Sequence, residues 1–149
     1  GMELAIWADM RVMEETAFMG VYCRRWGIPL IDGGTVRLPR LVGEGRAIDL
    51  LLTGRRVDAE EALTIGLCEY VVPQGKAREK AEEVARDICR FPQSCVRADR
   101  RSTRKQHGLS LREALRQEWW NSKAEVTRGI EGAARFAGGK GRGGDFKDL

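Results

Sequence analysis

Histidine is nearly absent from this chain: 149 residues contain only His107, and proline and tyrosine are sparse, at four and two. The four cysteines, Cys23, Cys68, Cys89 and Cys95, form no CxxC pair. A single imidazole and scattered thiols do not assemble the Cys/His sets that zinc takes, so no metal site is expected. The cysteines read as reduced thiols of a cytosolic protein, mostly filling core positions. No apolar run approaches the roughly 20 residues needed to cross a bilayer, so no membrane partner is expected. No signal-peptide pattern stands at the start, and the expected location is cytoplasmic. No internal repeat is present. Neither sign of charge dominates. A net charge of +4 and a pI near 9.1 suit an anionic ligand without pointing to nucleic acid. What is there is 32% charged and 42% hydrophobic residues, the balance of a globular protein. The length bounds it to one domain that can bury a sizeable core.

The stretch Trp26 to Arg40 organises the chain. Pro29 fixes its own φ and pushes Ile28 towards extended geometry. Asp32-Gly33-Gly34 is a turn signal, and two successive glycines let backbone approach something closely. Thr35 follows in the place of a helix N-cap. An extended approach, a bare turn and a helix start would aim free N–H groups at one point, suited to a carbonyl oxygen, a carboxylate or a phosphate. The same residues also make an ordinary tight turn.

In chain order, residues 1–10 read as a helix that is apolar almost all round and therefore buried, with Glu3 in its first turn. Glu3 is either a carboxylate favoured by the helix dipole or a carboxyl facing a pocket, where burial would raise its pKa and fit it for acid/base work. Arg11-Val12-Met13 is a strand candidate, Glu14-Glu15-Thr16 a turn, and Ala17 to Tyr22 a second extended piece. Val36 to Leu41 reads as a helical segment interrupted by Pro39. Ala47 to Leu52 reads as a buried helix stopped at Gly54. Asp58 is an N-cap with Glu61 three residues on, and Gly66 is the C-cap. Leu67 to Val72 is a strand ended by Pro73. Strand–helix–helix–strand order predicts α/β layering.

Residues 75–91 form an amphipathic helix lined by Ala77, Ala81, Val84, Ala85 and Ile88. The helix over 93–106 carries Arg97, Arg100, Arg101, Arg104 and Lys105 with no aromatic among them, which reads as a solvated face before a phosphate contact. Ser110 to Glu113 opens a long helix with a capping pattern. Trp119 and Trp120 are adjacent and cannot share one face, so one is expected inside and the other against a partner chain. Gly129 to Phe136 starts a final helix, and the glycine-rich tail 138–146 reads as flexible.

The run Arg24 to Gly43 (RRWGIPLIDGGTVRLPRLVG) resembles the enoyl-CoA hydratase/isomerase (crotonase) family. So do Leu50 to Ala62 (LLLTGRRVDAEEA), Gly66-Leu67, Val71-Val72-Pro73 and the opening Gly1 to Asp9. They come in the family's order and spacing, through about Phe146. The match covers the C-terminal half of the family's domain. It implies an α/β, truncated crotonase-like fold with few short strands and a helix-rich C-terminal assembly region. Residues 1–92 would be a partial crotonase core forming an active-site wall, and 93–149 a helical oligomerisation region.

The resemblance also implies a chemistry. The substrate would be an acyl thioester of coenzyme A, with no separate cofactor. Negative charge built on the thioester oxygen would be held by two backbone N–H groups. One comes from the family's front half, and the other from the start of the helix carrying Glu3, where Gly1 has a terminal amine. Glu3 matches one of the family's two catalytic carboxylates. Cys23, four residues before Gly27, stands where hydratases carry the second. A thiol serves there only with a lowered pKa, which Arg24 and Arg25 would favour, and the plainer reading is a buried or half-buried thiol. Gly27, Asp32, Gly33 and Gly34 would line the substrate pocket with Gly1. The family implies a homo-oligomer, a trimer or hexamer. Two functions follow: an acyl-CoA enzyme of hydratase or isomerase type that is incomplete or inactive as this chain alone, or a non-catalytic oligomerising and binding module.

Overall fold

Two local devices fix the first half of the chain. Gly54, in left-handed geometry, stops the helix Glu44–Thr53. The Asp58 carboxylate accepts the Glu61 amide at 2.9 Å and starts the helix Ala59–Thr64. The computed structural model describes residues 1–144. Among these, four short strands and seven α-helices follow one another as α1 (Met2–Ala5), β1 (Val12–Glu14), β2 (Phe18–Met19), α2 (Gly34–Val42), α3 (Glu44–Thr53), β3 (Val57–Asp58), α4 (Ala59–Thr64), β4 (Tyr70–Val72), α5 (Ala77–Cys89), α6 (Gln93–Lys105) and α7 (Leu111–Ala137). The expected α/β class with few short strands is what the chain adopts. It divides into two compact units, Gly1–Val84 and the residues from Ala85 on.

In the first unit β1 and β4 pair in parallel, Val12 opposite Tyr70 and Glu14 opposite Val72. A parallel pair needs a long crossover, and α2, α3 and α4 supply it. β2 and β3 pair antiparallel, Phe18 opposite Asp58. The core gathers Leu38, Val42, Ala47, Leu50, Ala62 and Leu67, with Met2 and Ile6 packed in from α1. Arg55 ties α3 to α4. Its guanidinium takes both Glu61 oxygens, at 2.6 and 2.8 Å, and reaches Asp49 Oδ2 at 2.8 Å. Arg11 is buried and fully engaged. It donates to the Leu67 and Ala8 carbonyls, each at 2.8 Å, and pairs with Glu69.

Several expectations are corrected. The first helix has four residues, not ten, and is not buried all round: Leu4 is 77% and Trp7 52% exposed. Only Met2 and Ile6, four apart on one face, reach the core. The Ala8 carbonyl goes to the Arg11 side chain, and the chain turns there. The second extended piece is only β2, and at Tyr22 the chain enters a 3-10 helix, Tyr22–Trp26. Thr35 is not the N-cap of α2. Gly33 holds that position at φ +93°, and Thr35 lies within the first turn. Pro39 does not interrupt α2, because Leu38 and Val42 are buried on either side and the Gly43 amide closes onto the Pro39 carbonyl at 3.0 Å. The residue capping α4 is Ile65, with Gly66 one position later. The strand before Pro73 is confined to β4, since the Leu67 and Cys68 amides both donate to Ala62 O. Of the cysteines only Cys68 is buried and Cys23 half-buried; Cys89 and Cys95 are exposed, so core filling is not their common role.

In the second unit α6 and α7 pack together around Ala98. The five cations of α6 are exposed, as read from the sequence. Ser110 and Glu113 cap α7 reciprocally, and the Ser110 hydroxyl and amide hold the Glu113 carboxyl below its ordinary value. α7 runs unbroken through Gly129 and Gly132, so no separate final helix starts there. Trp119 and Trp120 are both 58% exposed, and neither packs inside. Asp145 and Phe146, part of the tail read as flexible, lie outside the described residues. Among the described residues no helix is long and apolar enough to cross a membrane.

Candidate functional site

The Asp32-Gly33-Gly34 turn lies against α1. The Glu3 carboxylate reaches across 31 residues, and its Oε1 accepts the Gly34 amide at 2.8 Å and the Asp32 amide at 3.1 Å. Glu3 thus caps α2, whose own N-cap residue, Gly33, has no side chain. The approach requires glycine: a Cβ on Gly34 would stand 2.7 Å from Glu3 Oε1 and 3.0 Å from Leu30 Cδ1. A second strap runs the other way, with Trp7 Nε1 donating to the Asp32 carbonyl at 2.8 Å. The Arg37 guanidinium lies 3.5 Å from the centre of the Trp7 ring.

Two of the turn's three amides are therefore not free for a ligand. Those of Asp32 and Gly34 are used by a carboxylate of the chain itself. That carboxylate stands at the edge of two hollows. One, of about 520 Å³, is lined by Glu3, Cys23, Gly1, Met19, Leu30 and Phe18 among others. The other, of about 680 Å³, is lined by Glu3, Gly1, Trp7, Ile31, Asp32 and Gly33. Glu3 and Cys23, both half-buried, face one hollow, while Asp32 and Gly33 face the second. Gly34 touches Glu3 without lining either. Gly27 is not brought to the site. It ends the 3-10 helix in left-handed geometry, lines neither hollow, and a Cβ there would meet nothing within 4 Å.

Sequence reasoning missed Trp7, Phe18 and Tyr22. For Trp7 a signal existed, since it follows Glu3 by four residues and so shares its side of the first turns. Chemically, Oε1 of Glu3 is anchored by two amides, and Oε2 has no hydrogen-bond partner among the described residues. A fixed carboxylate with one free oxygen at an apolar hollow suits proton transfer to or from a bound molecule.

The family model described as Enoyl-CoA hydratase/isomerase matches residues 1–138. An enoyl-CoA isomerase/hydratase of Zymoseptoria tritici is 41% identical over 110 residues, which is 66% of this chain and 36% of that protein. The enoyl-CoA hydratase EchA19 of Mycobacterium tuberculosis is 38% identical over 116 residues, covering 78% of this chain and 44% of its own. The crystal structure of an enoyl-CoA hydratase from Bacillus anthracis superimposes with a TM-score of 0.85 at 35% identity, over 92% of this chain and 54% of that one. The chain thus has the crotonase-like fold and spans about half the length, or less, of the relatives it matches. On these grounds it belongs to the enoyl-CoA hydratase/isomerase family.

Proposed function

We propose that this chain forms one wall of an acyl-CoA site of crotonase type and corresponds to the C-terminal half of the family's domain. Glu3 is the carboxylate that moves the proton. Cys23 occupies the place of a second acid/base group, and Gly1, Asp32 and Gly33 border the ligand. The observation carrying this reading is that Glu3 and Cys23, 20 positions apart in sequence, line the same apolar hollow. One carboxylate can carry a proton between two carbons of an enolate. Activating water as well calls for a second base, and a thiol is a poor one. The reading therefore favours proton transfer over hydration. With the Asp32 and Gly34 amides engaged by Glu3, donors for the thioester oxygen come from elsewhere, Gly1 among them.

The test is binding and turnover by the chain alone. A saturating acyl-CoA is expected to raise its melting temperature. Hydration of a 2-enoyl-CoA, followed by loss of the conjugated thioester absorbance, is expected to be negligible. Absence of any thermal shift, or brisk hydration abolished by Glu3→Gln, overturns the reading.

A second reading, a non-catalytic oligomerising module, is favoured by α7, where Leu111, Leu115, Trp119, Trp120, Val126 and Ile130 are all exposed. Homo-oligomers built through residues 93–149, trimers or hexamers, would cover them. A strictly monomeric species in light scattering at micromolar concentration argues against it. Under both readings the chain works in the cytoplasm without nucleic acid, membrane or separate cofactor.

A further inference from the structure

Four arginines, Arg24 and Arg25 just after Cys23 and Arg55 and Arg56 just before the strand paired with β2, differ in their partners. Arg55 is held by Asp49 and Glu61, and Arg24 Nε donates to the Leu51 carbonyl. Arg25 and Arg56 are exposed and have no carboxylate partner among the described residues. Each is instead laid over an aromatic ring that lines the hollow. The Arg25 guanidinium carbon is 4.6 Å from the Tyr22 ring centre, and that of Arg56 is 4.1 Å from the Phe18 ring centre. The two rings are themselves in contact, with centres 6.0 Å apart. Gly20 leaves room for the Tyr22 ring, since a Cβ there would come within 2.8 Å of it. The nearest acid in the register is Asp58, opposite Phe18, and its Oδ1 already accepts the Glu61 amide.

We infer that Arg25 and Arg56 form an anion-binding rim at this hollow, taking a carboxylate or phosphate of the ligand whose acyl body lies beside Glu3. A guanidinium stacked on a ring keeps its N–H edges for an oxyanion, which Arg binds in forked geometry. The hollow below is apolar, with Met19, Leu30 and Phe18, so the charge at its rim selects ligands that end in an anion. Two sources fit the chemistry: a carboxylate on the far end of the acyl chain, or the phosphates of coenzyme A. The inference rests on the acyl-CoA reading above.

The test is calorimetric titration of the whole chain with three probes: coenzyme A, butyryl-CoA and glutaryl-CoA. The variants are Arg25→Gln, Arg56→Gln, their double, and the double Arg→Lys variant. The double Gln variant is expected to bind about tenfold more weakly at low ionic strength, the loss shrinking in salt. The double Lys variant keeps the charge but not the forked, stacked geometry, so it should recover part of the affinity lost in the double Gln variant, which separates charge from simple packing. Equal loss for all three probes assigns the rim to phosphate; loss confined to glutaryl-CoA assigns it to the acyl carboxylate. Unchanged affinities in the double Gln variant, with the unsubstituted chain binding normally, overturn this inference alone. If the unsubstituted chain binds none of the probes, the acyl-CoA reading falls with it.

Discussion

The closest approach in the site yields its sharpest prediction. Gly34 occupies the first helical position of α2 with ordinary helical φ, so Gly34→Ala costs nothing in backbone strain. In an open helix the change would stabilise by up to about 1 kcal/mol. Here the new Cβ would stand 2.7 Å from Glu3 Oε1, well inside contact distance. The carboxylate must move by roughly half an ångström or more, and its bond to the Gly34 amide, now 2.8 Å, lengthens past usefulness. A hydrogen bond to a charged acceptor contributes about 1.5–3 kcal/mol, and exposure on one side places this one at the lower end. Leu30 Cδ1, 3.0 Å from the same Cβ, adds crowding. Net of the propensity gain, Gly34→Ala should destabilise the unit Gly1–Val84 by about 1–2 kcal/mol, or about 5–10 °C in Tm.

Gly45→Ala is the control. It lies inside α3, and its Cβ would meet nothing within 4 Å, so it should stabilise by roughly 0.5–1 kcal/mol. Urea melts followed by far-ultraviolet circular dichroism give both numbers. A double-mutant cycle completes the test: Gly34→Ala and Glu3→Ala share one bond and must be strongly non-additive. Gly33→Ala, strained at φ +93° but clear of Glu3, should couple to it less. If Gly34→Ala proves as benign as Gly45→Ala, or adds fully to Glu3→Ala, the carboxylate does not hold the turn.

Three further outcomes follow from the first unit. Arg11→Met should cost about 3 kcal/mol in urea melts, because it leaves the Leu67 and Ala8 carbonyls without a donor and the Glu69 carboxylate without its cation, holding only the residue-11 amide; a cost below about 1 kcal/mol contradicts that role. The Arg55 guanidinium, by hydrogen bonding first and charge second, holds the Glu61 carboxyl below its ordinary 4.5. Its folded pKa being the lower, this pair's stabilisation is present above about pH 4.5 and fades as pH falls through the folded value. Glu61→Gln should flatten the acid limb of a stability–pH curve, and an unchanged limb would show the pair contributes nothing. Burial pushes the Cys68 thiol above 9.0, so Cys89 and Cys95 should react with a disulfide reagent first and Cys68 only on unfolding; an early Cys68 signal would mean the core there opens.

The sequence signals that held were local ones. Asp58 before Glu61, Ser110 before Glu113 and Gly54 after Thr53 each carry their whole mechanism within four residues. What failed depended on distant partners. Periodicity could not tell that Leu4 and Trp7 would be left outside while Met2 and Ile6 went in, because all four are apolar. Pro39 argued for a break that two buried neighbours overrode. The role of Arg11 depends on partners 56 and 58 residues away, and nothing near it announces them. The hollow itself was legible only by resemblance. Spacing alone does not bring Glu3 and Cys23 to one cavity, and Gly27, which the resemblance also put at the pocket, lines neither hollow.

The capping role of Glu3 and the proton-transfer role proposed for it fall to different oxygens, which makes them separable. Oε1 holds the turn through the Asp32 and Gly34 amides, which is a structural duty. Oε2, without a partner among the described residues, is the atom left for a proton. Glu3→Gln keeps a carbonyl oxygen to accept both amides and puts an amide nitrogen in place of the other oxygen. It should retain the fold nearly intact while removing proton transfer. Glu3→Ala loses both, leaving the amide of the buried Gly34 unpaired at a cost of about 1–3 kcal/mol. If Gln and Ala destabilise equally, the negative charge rather than the acceptor atom holds the turn, through the field at the N-terminus of α2. The same carboxylate would then have to stay ionised to keep the site in shape. A residue under that constraint cannot serve as the proton donor in one half of a reaction without loosening the wall it stands in. Melts of the two variants, measured side by side, therefore decide whether the cap and the acid can be one residue.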